Sequence, residues 1–167
     1  YASEMRYPKN GGYKAFLKPL IENQIINTNH KVTMISTDAK EIHFENGKVV
    51  TYKNLLNTIP LPTLISLMTN VPSEITSKSN QLHATSIDLI SVGFDVPKIH
   101  DKLWFYIYDE DIFAARCHSP SIKSKNNAPQ GKSSLQFEIY SSKFKPQKHS
   151  AEKLKENVLN SLFKMKI

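Results

Sequence analysis

The sequence predicts an α+β fold, an antiparallel sheet with flanking helices. Three observations carry that expectation: strand-like stretches following one another from about residue 84 to 141, an Asn46-Gly47 hairpin signal ahead of them, and one-sided helical stripes at residues 13–21 and 154–163.

The first helical stripe follows Asn10-Gly11-Gly12, with Tyr13, Phe16, Leu17, Leu20 and Ile21 at the i, i+3, i+4, i+7, i+8 spacing of a one-faced helix. Its apolar face is expected to pack on a sheet, and Pro19 inside it predicts a kink or an early stop near Lys18. Ile25 to Ile35 reads as extended. Glu41 to Tyr52 reads as two alternating runs around Asn46-Gly47, a dipeptide whose residues tolerate the positive φ angles of a tight turn. Leu55-Leu-Asn-Thr-Ile59 is apolar and closed by Pro60, the pattern of a buried strand. Helical spacing resumes at Leu61, Leu64, Ile65 and Met68, and a second short helix is expected from Pro72 to about Leu82.

Beyond residue 84 the texture becomes β-rich. Four strands are expected, over 84–96, Leu103–Tyr108, Ile112–His118 and Ser133–Ser141, with a polar loop or long hairpin tip over 119–132. Ser150 offers an N-cap for a final helix with the stripe Leu154, Val158, Leu159, Leu162 and Phe163.

A chain of 167 residues that is 40% apolar and 22% charged can bury a real core. No apolar run approaches the roughly 20 residues of a membrane span, and the opening Tyr1-Ala-Ser-Glu-Met-Arg has neither an initiator Met nor a signal peptide's apolar region. The expectation is a soluble, cytoplasmic protein whose chain begins mid-protein. One cysteine, Cys117, excludes an internal disulfide and reads as a structural thiol. The net charge of +7 is spread along the chain with no recognition motif, which argues against a nucleic-acid partner.

The familiar catalytic signatures GxGxxG, P-loop, HExxH and GxSxG are missing. Gly11-Gly12 lacks a preceding strand and a third glycine, so it cannot cradle a pyrophosphate in that way. Six histidines never pair at helical spacing, and no metal site is expected. Asp109-Glu110-Asp111 reads as a solvated turn rather than a pair of catalytic acids. Arg116, alone on the apolar strand Phe113-Ala-Ala-Arg-Cys-His118, needs an anionic partner if buried. That partner is either a ligand or Glu138 of the neighbouring strand, and the two readings stand level. Trp104, Tyr106 and Tyr108 share a parity, so they form either core or a stacking wall, core being favoured.

The order of these pieces resembles the middle of the FAD-dependent amine-oxidase superfamily, in the branch of protoporphyrinogen oxidase-like and UDP-galactopyranose mutase-like proteins. The resemblance rests on Tyr7-Pro-Lys-Asn-Gly-Gly-Tyr13 before a helix, on Lys31-Val-Thr-Met-Ile35, on the Asn46-Gly47 hairpin, and on Leu55-Leu-Asn-Thr-Ile-Pro-Leu-Pro62. It implies that residues 1–70 are an incomplete part of an FAD-binding α/β domain, 71–150 a substrate-binding sheet, and 151–167 a helix returning toward the FAD domain. By the same resemblance Val32, Thr58, Pro60, Gly11 and Gly12 belong to the FAD side, Arg116 lies close to the flavin, and Trp104, Tyr106, Tyr108 and His118 face a small-molecule substrate.

The resemblance thus implies the middle section of an FAD-dependent oxidoreductase, inactive without the remainder of its parent chain and not expected to bind FAD tightly alone. Its reaction would be flavin-mediated oxidation of a C–N or C–C bond. The alternatives are a flavin-dependent sugar-nucleotide mutase and a non-enzymatic module that stacks a sugar or base on the aromatic strand.

Overall fold

The computed structural model describes residues 6–167; the opening segment 1–5, read above as the interior of a longer chain, lies outside the described residues. Helices and antiparallel sheets alternate along the chain, as the α+β expectation requires. Two compact units are formed. One gathers the described part of Tyr1–Gln24 with Ala84–Ile167, and the other is Ile25–His83.

In the continuous unit, β1 (Val32–Ser36), β2 (Glu41–Phe44) and β3 (Val49–Thr51) form an antiparallel sheet in the order β1-β2-β3. Thr33 is an extra residue between Val32, opposite Phe44, and Met34, opposite His43. The hairpin stands where Asn46-Gly47 predicted it, but only Gly47 takes a positive φ, of 81°. The Gly47 amide donates to the Phe44 carbonyl, and Phe44 N–H to the Lys48 carbonyl. The loop is therefore a turn closed by a left-handed glycine rather than a two-residue turn with both centres left-handed. Helices α2 (Leu61–Leu67) and α3 (Ser73–Ser79) follow near their expected places.

Two expectations fall short in this unit. The stretch Ile25–Ile35, read as extended, is strand only from Val32 onward, and Ile25 is 93% exposed. Leu55–Ile59 is neither a strand nor buried, with Leu56 89% exposed. Asn57 explains the second failure, because its side chain donates to the Ile59 carbonyl and accepts from the Ile59 amide, which takes the backbone groups a ladder would need.

The other unit begins with α1 (Lys14–Ile21), which runs two residues past Pro19, so the ring removes one donor without ending the helix. No residue of α1 is buried, and Phe16 and Leu20 are 52% and 68% exposed. The expected burial of its apolar face is not found. Next come β4 (Ser86–Phe94), β5 (Trp104–Tyr106), β6 (Arg116–His118), the short helix α4 (Pro120–Lys123), β7 (Ser133–Ser141) and α5 (Ala151–Lys164). The four strands form the expected antiparallel sheet, in the order β4-β7-β6-β5. The stretch 119–132, expected as a polar loop, instead contains α4 and one 3₁₀ turn, with Ser119 and Ser124 buried.

Alternation along β7 divides the sheet into two unlike faces. Leu135, Phe137 and Ile139 point to one side, where Cys117 and the α5 residues Leu154, Val158 and Leu162 complete the core. Ser150 caps α5 by accepting from the Lys153 amide, as predicted, but Leu159 and Phe163 lie outside the buried stripe. Gln136, Glu138 and Tyr140 point to the opposite side. No helix among the described residues is long and apolar enough to cross a membrane.

Candidate functional site

Cross-strand register assembles the second face row by row. Tyr106 lies opposite Arg116, which lies opposite Glu138 and then Leu89; Trp104, His118, Gln136 and Ser91 form the next row. Trp104 and Tyr106 are 43% and 56% exposed, so these aromatics are not core as first favoured. Tyr108 lies past the end of β5 and borders a separate cavity of about 520 Å³ beside Asp109, Tyr140 and His149. Asp109 and Asp111 each pair with Lys164 of α5, which makes that acidic turn a structural one.

Glu138 is the centre of the face. Its side chain is 5% exposed, and it accepts from Arg116 Nε at 2.8 Å and Nη2 at 2.6 Å, from His118 Nδ1 at 3.1 Å, and from the Tyr140 hydroxyl. The salt-bridge reading of Arg116 is therefore realised, though the guanidinium, 38% exposed, still reaches solvent. Sequence reasoning named Glu138 only as the partner of Arg116 and missed Tyr140. Both were legible in principle, since Glu138 and Tyr140 share a parity opposite to the apolar residues of their own strand.

The electrostatics follow from that packing. Burial pushes the Glu138 carboxyl up, but the hydrogen bonds from Arg116, Tyr140 and His118 with the Arg116 charge outweigh it, and the group stays ionised below its usual range. Burial and the Lys123 charge lower His118 despite Glu138, favouring the neutral ring with Nδ1–H on the carboxylate and Nε2 as its acceptor. Cys117 is fully buried and its thiol is pushed up to about 12, which suits the structural role expected of it.

The remaining expected residues lie elsewhere. Val32 is half-buried at the start of β1, while Thr58 and Pro60 are exposed in the irregular segment before α2. Gly11 and Gly12, with φ of 81° and 60°, form a left-handed turn whose amides already donate to Asn126 Oδ1 at 2.8 Å and Ser124 Oγ at 3.2 Å. Those amides do not suit a phosphate cradle. A cationic face beside exposed aromatics does suit the negative side of a flavin or a phosphorylated ligand. Among the described residues no group of three or more His, Cys, Asp and Glu could hold a metal ion.

A four-stranded antiparallel sheet with a helix on one face and an open, arginine-bearing aromatic face on the other defines this α+β unit. Solved structures give that unit relatives. The chain is similar to reduced UDP-galactopyranose mutase, with TM-score 0.81 and 27% identity, covering 96% of this chain and 36% of that one. It is also similar in fold to the PF1083 protein from Pyrococcus furiosus, with TM-score 0.71 and 13% identity, over 93% of this chain and 40% of that one. The chain thus spans well under half the length of either. No protein-family model and no curated protein matches it.

Proposed function

We propose that this chain is the substrate-facing section of an FAD-dependent enzyme acting on a sugar nucleotide. The observation that carries this reading is the open face of the β4-β7-β6-β5 sheet, where Arg116 emerges beside Trp104 and Tyr106 while Glu138 holds its guanidinium. The likeness to UDP-galactopyranose mutase supports it, since that protein's name states a UDP-linked sugar. Between the two reactions expected above, it favours sugar-ring isomerisation over oxidation of a C–N or C–C bond. FAD, when bound, supplies a ring that carries negative charge once reduced.

Arg116 serves in this reading as the cation facing that charge or a substrate phosphate. Trp104 and Tyr106 stack on the substrate, with Tyr108 and His118 at its margin. Val32, Thr58 and Pro60 belong to the FAD side of the parent enzyme, and Gly11 and Gly12 contribute there only as scaffold. Residues 1–70 act as FAD-domain scaffold, 71–150 as the substrate domain and 151–167 as the returning helix, with the remainder of the parent chain as partner. A reducing, cytoplasmic setting suits the single buried thiol.

The test uses the gene product that carries this chain, purified with FAD. Arg116→Met is expected to lower turnover about 100-fold, the usual cost of removing a positioned charge donor, with Arg116→Lys intermediate. Unchanged turnover and unchanged flavin reduction, followed by visible absorbance, would leave Arg116 a structural residue. A purified protein that retains no flavin would sink the whole reading.

A further inference from the structure

We infer that His118 is a proton-transfer residue of the open sheet face, taking and returning a proton at Nε2, and that Glu138 positions its ring. The inference rests on the proposed function and deepens it, since isomerising a sugar ring requires a proton to change oxygens.

The two carboxylate oxygens of Glu138 have separate duties. Oε2 accepts from Arg116 Nε and Nη2 and from the Tyr140 hydroxyl, whereas Oε1 is left to His118 Nδ1 at 3.1 Å. Arg116 and Tyr140 thus fix the carboxylate, and the carboxylate fixes the orientation and tautomer of the imidazole. A neutral ring with its proton on Nδ1 carries a lone pair on Nε2. Among the described residues Nε2 has no hydrogen-bond partner. The buried side-chain polar atoms without a partner among those residues are Thr69 Oγ1, Ser133 Oγ and Ser134 Oγ, so Nε2 is not sealed and reaches solvent.

The neighbouring strands leave that nitrogen free. His118 lies opposite Trp104 on β5, which brings no charge, and opposite Gln136 on β7, whose side-chain amide donates to Ser91 Oγ at 2.9 Å. The charged groups that act on the ring are Glu138 on β7, Arg116 on its own strand and Lys123 at the end of α4. Burial and the Lys123 charge outweigh Glu138 and keep the ring neutral at rest, the state that a proton acceptor needs. Satisfying Glu138 does not by itself require an imidazole, because any donor at the place of Nδ1 would do so. The imidazole adds an acceptor on its far side.

The proton balance of the step closes. When a sugar ring is rebuilt, one hydroxyl oxygen loses its proton as it bonds to the anomeric carbon. The former ring oxygen gains a proton as its bond to that carbon breaks. His118 Nε2 takes the first proton and delivers it to the second oxygen, so the residue ends neutral and no further reactant is consumed.

The gene product that carries this chain, purified with FAD, would be assayed with UDP-galactopyranose as the probe substrate. In His118→Asn the amide nitrogen stands at the place of Nδ1 and still donates to Glu138, but nothing replaces Nε2. This variant is expected to lower kcat about 100-fold, with KM changed less than about threefold, at wild-type flavin content and circular dichroism. Wild-type kcat should fall below pH 6.5 as the ring takes up a proton, and His118→Asn should lack that acid limb. Independently of turnover, ¹⁵N NMR of histidine-labelled protein should place the resting proton on Nδ1. Wild-type kcat in His118→Asn, an acid limb that persists in it, or a resting proton on Nε2 overturns the inference and leaves the proposed function standing. A wild-type protein that holds no flavin, or leaves the sugar nucleotide unchanged, removes the proposed function and this role with it.

Discussion

Glu138 is nearly sealed from solvent although it stands on the face of its sheet opposite the apolar core, and three donors keep it ionised there. A carboxyl more acidic in the folded than in the unfolded chain contributes stability above its unfolded value, and this is lost as pH falls through its folded value. The histidines act earlier. Burial lowers His118 and His100 from 6.5, so the unfolded chain takes up their protons first and stability declines once pH drops below about 6.5. The urea midpoint is therefore expected to fall in two stages on acidification, the second in the carboxylate range. His118→Gln should flatten the first stage without abolishing it, because His100 remains. An unchanged first stage in that variant would show that His118 is not depressed by folding. Arg116 illustrates how much a sequence can say at this scale: its need for an anion was legible from its apolar strand, and its partner from register.

Elements were legible where a local signal and a partner coincide. The Asn46-Gly47 hairpin, the four antiparallel strands and the Ser150-capped α5 each combine the two, and each formed. Leu55–Ile59 had apolar residues and a closing proline but no paired strand, and Asn57 turned its backbone inward upon itself. The stripe of α1 gave the right helix and the wrong burial, since periodicity tells which residues share a side and nothing about what covers it. The Gly11-Gly12 turn makes a sharper prediction. A Cβ on Gly12 would lie 2.4 Å from Asn127 Oδ1, and its φ of +60° disfavours any other residue. Gly12→Ala is expected to cost about 1–3 kcal/mol in thermal or urea unfolding. Adding Asn127→Ala should recover part of that loss by removing the collision while leaving the backbone cost. Full recovery would assign the whole effect to the clash.

Taken whole, the chain leaves much apolar surface uncovered. Phe16 and Leu20 on α1, Leu89 on the open sheet face and Phe163 on α5 are all at least half exposed. Exposed apolar side chains of that size bind hydrophobic dyes, so anilinonaphthalene sulfonate fluorescence is expected of the folded chain. Phe16→Glu with Leu20→Glu should reduce it markedly at unchanged helicity; equal fluorescence would place the dye elsewhere. The clamp between the glycine turn and residues 124–127 also orders events during synthesis. Gly11 and Gly12 leave the ribosome more than a hundred residues before Asn126 and Ser124, which sit 115 and 112 positions further on. The intervening Ile25–His83 unit is continuous and can mature meanwhile, so the Gly11-Gly12 turn must wait for residues 124–127 before it acquires a fixed place.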